Sequence, residues 1–128
     1  MASNTLIYHE ESYVMAFVQP DKVSFHDATL ENIQVTGNRI TFNVVDARTQ
    51  DNLPCSVEVT LEQVTLIKAD GEVAGTFAME AQDAEILSFD LHGDGITATL
   101  EWNDWEPRRQ FVRSYEIAAH DVRVVVVD

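Results

Sequence analysis

Ala84-Glu-Ile-Leu-Ser-Phe-Asp-Leu-His-Gly-Asp-Gly-Ile-Thr-Ala-Thr-Leu-Glu-Trp102 is the stretch whose reading decides the fold. Leu87, Phe89 and Leu91 alternate with Ser88 and Asp90. Ala98, Leu100 and Trp102 alternate with Thr97, Thr99 and Glu101. A period of two puts successive side chains on opposite faces of a strand, one dry and one wet. Between the runs, His92-Gly93-Asp94-Gly95 supplies residues suited to a tight turn. A turn at Asp94-Gly95 would set Leu91 against Ala98, Phe89 against Leu100 and Leu87 against Trp102. A one-residue slip would set apolar against polar side chains, because it swaps the faces. The stretch therefore reads as a β-hairpin.

The same logic extends outward. Ile33 and Val35 lead into Gly37-Asn38, and Ile40, Phe42 and Val44 lead away. That turn sets Val35 against Ile40 and Ile33 against Phe42. Strands are also expected at residues 55–61, 64–68, 73–77, 110–117 and 122–127, with a turn at Asp70-Gly71 and another at 118–121. Residues 46–54 and 103–107 read as loops, and 78–85 as short and helix-permissive. Residues 5–18 fit either a short helix followed by a strand or a strand throughout. The expectation is an all-β, mainly antiparallel domain, sandwich or barrel-like, of about eight to ten short strands with a short N-terminal helix. No helical pattern is long enough to supply the crossovers of a parallel sheet.

A chain of 128 residues reads as one domain, 1–128, able to bury a core without disulfides or metal. Its 22 acids against 8 bases give a formal charge of −14. Such a field repels nucleic-acid phosphates and anionic membranes and attracts a basic protein partner. It also keeps a strand-rich protein soluble. Cys55 stands alone, so no intrachain disulfide forms, and its apolar neighbours suggest a buried residue. Met1-Ala2-Ser3-Asn4-Thr5 lacks a basic region and a following apolar core. No secretory signal is expected, and the expected compartment is the cytoplasm.

The sequence lacks a phosphate loop, a Gly-x-Ser-x-Gly elbow, a His-Glu-x-x-His pair and paired cysteines. Nothing implies a cofactor, and a non-catalytic role is favoured. Four acidic-histidine neighbourhoods remain: His26-Asp27, His92 with Asp94, His120-Asp121 and His9-Glu10-Glu11. Imidazole with carboxylate suits zinc, manganese or iron. Adjacent strand residues point to opposite faces, however, so a site would need distant segments to converge. One alternative is therefore a small-ligand or metal site, enzymatic or not, built from His26, His120, Trp105 and Arg113. The other is that these residues hold turns and strand ends.

Trp102-Asn-Asp-Trp-Glu-Pro-Arg-Arg109, with Arg113 and Tyr115 downstream, is the second constellation. Trp102 continues an inward face. Trp105 is either an exposed binding anchor or a plug folded back on the core. With Tyr115 it could stack a sugar ring, the carbohydrate-binding alternative. Arg108, Arg109 and Arg113 either pair with nearby carboxylates or hold a small anion. The terminal residues Val122, Arg123, Val124, Val125, Val126 and Val127 are apolar on both faces after the arginine. Such a strand is either central or an edge covered by a partner, which would make a homodimer.

Phe25-His26-Asp27-Ala28, then Leu30, Ile33 and the glycine-containing hairpin turn, resembles the opening of several small bacterial β-rich families. Some of these look like immunity proteins of contact-dependent or polymorphic toxin systems. The resemblance covers residues 25–44, from Phe25 to Val44. It implies an intracellular inhibitor that binds a toxin, and it assigns no catalytic residue.

Overall fold

The computed structural model describes residues 3–8, as backbone, and 23–127. Eight strands follow in order: β1 (Ser3–Tyr8), β2 (Thr29–Thr36), β3 (Arg39–Arg48), β4 (Pro54–Ala69), β5 (Glu72–Val73), β6 (Asp83–His92), β7 (Gly95–Trp105) and β8 (Arg108–Val127). The described residues contain no helix, and every strand pairing is antiparallel. β2, β3 and β4 form one meander and β6, β7 and β8 another. β4 joins β8 over a long ladder, and β2 joins β6 through Thr29 opposite Glu85 and Leu30 opposite Ala84. The ring β2-β3-β4-β8-β7-β6 thus closes on itself as a barrel, with β1 added along β8 and β5 along β4.

Closing so few strands requires sharp bending, and bulges supply it. The register shifts between Glu31 and Gln34, Val44 and Ala47, Val64 and Leu66, and Ile86 and Ser88. Asn32 and Asp46 sit within two of these shifts, and Gln63 just before a third, with φ of 58°, 62° and 54°. Asn and Asp tolerate that left-handed region better than most side chains.

The bulges also explain where the sequence expectations fail. Residues 55–61 and 64–68 are one 16-residue strand bent at Gln63. Residues 110–117 and 122–127 are likewise one 20-residue strand, so 118–121 is no turn. Val35 lies opposite Ile40 as expected, but the β2 shift falls where Ile33 and Phe42 would have paired. In the hairpin of β6 and β7 the turn is Gly93-Asp94, with His92 opposite Gly95, Leu91 opposite Ile96 and Phe89 opposite Ala98. Beyond the bulge, Ala84 rather than Leu87 faces Trp102. Near the turn the slip from the expected pairing is two residues, which leaves the faces unchanged, but past the bulge it is three, so Ala84 and Ile86 take the buried face that Leu87 was expected to share. β7 continues through Asn103 to Trp105, leaving only Glu106-Pro107 as the turn. Glu72 and Val73 alone form the return strand.

Ser3–Tyr8 is a strand and not a helix. The remainder of the N-terminal expectation, with His9, Glu10 and Glu11, lies outside the described residues. β1 pairs with Val122 to Val127 along one edge, and β4 covers the same six residues along the other. This strand is interior. Its backbone groups are spent on its neighbours, so the homodimer expected through an uncovered edge has no edge to use.

The core fills the barrel. Leu30, Phe42, Val44, Val59, Leu61, Ile86, Leu100, Trp102 and Val122 are fully buried. An irregular strap, residues 74–82, crosses the barrel and adds Phe77, which is 1% exposed. Phe77 meets Phe42 and Tyr115 edge-on, with centroids 6.0 and 4.8 Å apart. Burying a side chain of this size contributes about 1.5–3 kcal/mol, enough to hold the strap in place. Gly95 marks a close approach of β7 to β8. A Cβ there would lie 2.0 Å from the Ile117 carbonyl oxygen.

Candidate functional site

Two groupings of polar side chains stand out, one at the partly open rim of the barrel's inward face and one on its outer face. The inner one begins with the parity of β8. Arg109, Phe111, Arg113 and Tyr115 share the inward face, because their partners Asp104, Trp102, Leu100 and Ala98 do. Two arginines on an inward face need partners, and the strap brings one. Arg113 donates from Nε to Glu80 at 2.7 Å and from Nη1 to Asp70 at 3.2 Å. Arg109 donates twice to Asp104, at 3.0 and 2.7 Å, and once to the Glu80 carbonyl at 2.9 Å. Both guanidiniums also lie over the Phe111 ring, 4.9 and 5.2 Å from its centroid.

Tyr115 completes the cluster. Trp102 Nε1 donates to its hydroxyl at 2.8 Å, and the hydroxyl donates to the other Glu80 carboxylate oxygen. Burial pushes the Tyr115 phenol well above its ordinary range, and the bond to Glu80 pushes it further. The Glu80 carboxylate, first through its hydrogen bond and then through its charge, raises Arg113. Among the described residues no buried side-chain nitrogen or oxygen lacks a partner. Each polar group of this cluster is satisfied by another, so it reads chemically as a latch tying the strap to β8.

The outer grouping lies on β6, β7 and β8. Thr29, Glu85, Glu101 and Val112 form one cross-strand row, with Glu85 directly opposite Glu101. Asp27 joins from the preceding turn, where its φ is 66° and its amide donates to the Ile86 carbonyl at 2.8 Å. His26 donates from Nδ1 to the Leu87 carbonyl at 2.8 Å, and its Nε2 lies 3.5 Å from the Asp27 carboxylate. Glu85 is raised above the ordinary carboxyl value by partial burial, then by its bond to and repulsion from Asp27, then by Glu101. Val112 and Trp105 on this side are 51% and 53% exposed, and Arg108 stacks on Trp105 with its centroid 5.3 Å away. Trp105 donates its backbone N–H to Gln82 at 2.8 Å.

The expected sites are dispersed. His26 and Asp27 are exposed on the outer face, and His120 is exposed on β8. Arg113 is inside the latch. Among the described residues no three His, Cys, Asp or Glu side chains gather closely enough to hold a metal ion. Two open hollows, of about 310 and 230 Å³, meet at Leu66, and neither is lined by His26, His120, Trp105 or Arg113. The ligand or metal site built from those four is therefore not assembled by the fold. Trp105 is exposed, but Tyr115 is 3% exposed, so the two rings offer no common platform to a sugar. His92 is a turn-flanking residue whose Nε2 lies 2.8 Å from Thr97 Oγ1. Cys55 is half-buried and not fully so.

Sequence reasoning missed Glu80, Asp70, Glu85 and Glu101. Glu80 sits in a stretch with no period to place it. The facing of Glu85 and Glu101 depends on a bulge that no local pattern announces.

Compared with family models, with curated proteins and with solved structures, the chain matches none.

Proposed function

We propose that this protein is a non-catalytic, acidic interaction domain that binds a basic protein partner in the cytoplasm, in the manner of an immunity-type inhibitor. The observation that supports the reading is how its few bases are used. Arg39 is engaged by Glu62, Arg109 by Asp104, and Arg113 by Glu80 and Asp70. These three of the chain's eight bases neutralise carboxylates of the fold itself and leave a formal charge of −14 over the whole chain. The densest polar cluster is closed on itself and holds a strap. The outward carboxylates, such as Glu85 and Glu101, face solvent and one another. A surface of this kind steers and retains a cationic partner.

The test is kinetic. A basic protein retained from cell extract at low salt is identified and purified, and its association rate is measured against ionic strength. The rate is expected to fall by about tenfold or more between low and physiological salt, as steered encounters do. A rate that is flat across that range overturns the reading.

A further inference from the structure

We propose that the outer face of β6, β7 and β8 around Glu85, Glu101 and Val112 is the docking surface, and that its occupant is an extended basic segment of a partner protein. The occupant would place lysine or arginine over Asp27, Glu85 and Glu101 and an apolar side chain against Val112. This rests on the proposed function and adds the place and the chemistry.

Three observations carry it. Like charges directly opposite on a sheet are destabilising, yet Glu85 and Glu101 occupy one cross-strand position with Asp27 beside them. Among the described residues, the one favourable charge acting on Glu85 is that of His26 when protonated. Arg109 and Arg113 of β8 face the other side, and Arg108, the nearest arginine on this face of the strand, is stacked on Trp105 instead. A cationic partner would remove that repulsion, and the fold itself does not. Second, Val112 is directly opposite Glu101 on the neighbouring strand and half exposed. Third, Trp105 closes the same face with a large exposed ring, the residue type that anchors many interfaces. Across the face the adjacent acids Glu85 and Glu101 are followed by the apolar Val112, which matches a segment that carries basic residues beside an apolar one. A second copy of this chain would bring a further −14 and fits poorly.

The probe is a synthetic peptide of alternating lysine and valine, titrated at low salt into the full-length protein labelled for amide NMR. Two double variants are compared, each removing two negative charges. Glu85→Gln/Glu101→Gln changes the proposed face. Glu31→Gln/Glu58→Gln changes a row on β2, β3 and β4, where Glu31 and Glu58 both flank Asn43. Shifts confined to β6, β7 and β8 are expected, with affinity reduced about tenfold by the first variant and about twofold or less by the second. Shifts spread over other faces, equal losses in both variants, or no loss in either overturn the surface and leave the basic-partner reading standing. Absence of salt-dependent binding to wild type overturns both.

Discussion

Trp102 and Tyr115, both buried, are joined by an indole N–H that donates to the phenol oxygen at 2.8 Å, and the phenol in turn donates a hydrogen bond to Glu80. The relay ties the bottom of the core to the strap. Tyr115→Phe leaves the indole donor and one Glu80 oxygen without their partner while keeping the ring's packing. A loss of about 1–3 kcal/mol is expected from leaving such groups unmatched. Urea unfolding of the two proteins checks it, and an unchanged midpoint would remove the relay from the account of stability.

The same phenol dictates behaviour in alkali. Its folded value lies above the ordinary phenol value, so the native state holds the proton more tightly than the unfolded chain. That contribution is fully present below the ordinary phenol range and is lost as pH rises through the folded value. The chain has three tyrosines. A phenolate absorbance titration should show at least one that ionises only as the protein unfolds.

Phe77 anchors the strap by insertion and not by ladder bonds. Phe77→Ala should cost about 3–5 kcal/mol, the range for emptying a buried aromatic position. Val73→Ala, at a side chain 75% exposed nearby, should stay within about 0.5 kcal/mol. Thermal unfolding of both variants makes the comparison.

Gly95 admits no side chain. Its φ of 145° lies where L-residues are strained, and a Cβ would meet backbone and not a movable side chain. Gly95→Ala should destabilise by more than about 1 kcal/mol. Gly93→Ala, with nothing within 4 Å of its Cβ position, is the control. Equal stability of the two variants would contradict the close approach of β7 and β8.

Glu85 predicts a pH effect of definite sign. Its folded value is raised, so its contribution to stability is present below the ordinary carboxyl value of 4.5 and is lost as pH rises through the raised one. Glu85→Gln should therefore raise Tm at pH 7 by about 1–3 °C, the scale of one like-charge contact in a domain of this size. At pH 4 the gain should largely vanish. A gain that is larger at pH 4 than at pH 7 would reverse the sign and remove the repulsion argument.

The alternation of Phe89, Leu91, Ala98, Leu100 and Trp102 with polar residues determined the all-β class and which side chains face inward. Period two is a local property, and a hairpin slip of two residues does not disturb it. The turn Gly37-Asn38 was equally legible, because Val35 and Ile40 lie next to it. What the tertiary structure decided depends on distant partners. The bulges at Asn32 and Asp46, and the one between Val64 and Leu66, exist because a ring of six strands must bend to close, and that demand is invisible to any one strand. The continuity of β4 and β8, the interior place of Val124, the meeting of Glu80 with Arg113 and Tyr115, and the facing of Glu85 and Glu101 all follow from that closure. Local periodicity assigns a residue to a face. Only the closed sheet assigns it a neighbour.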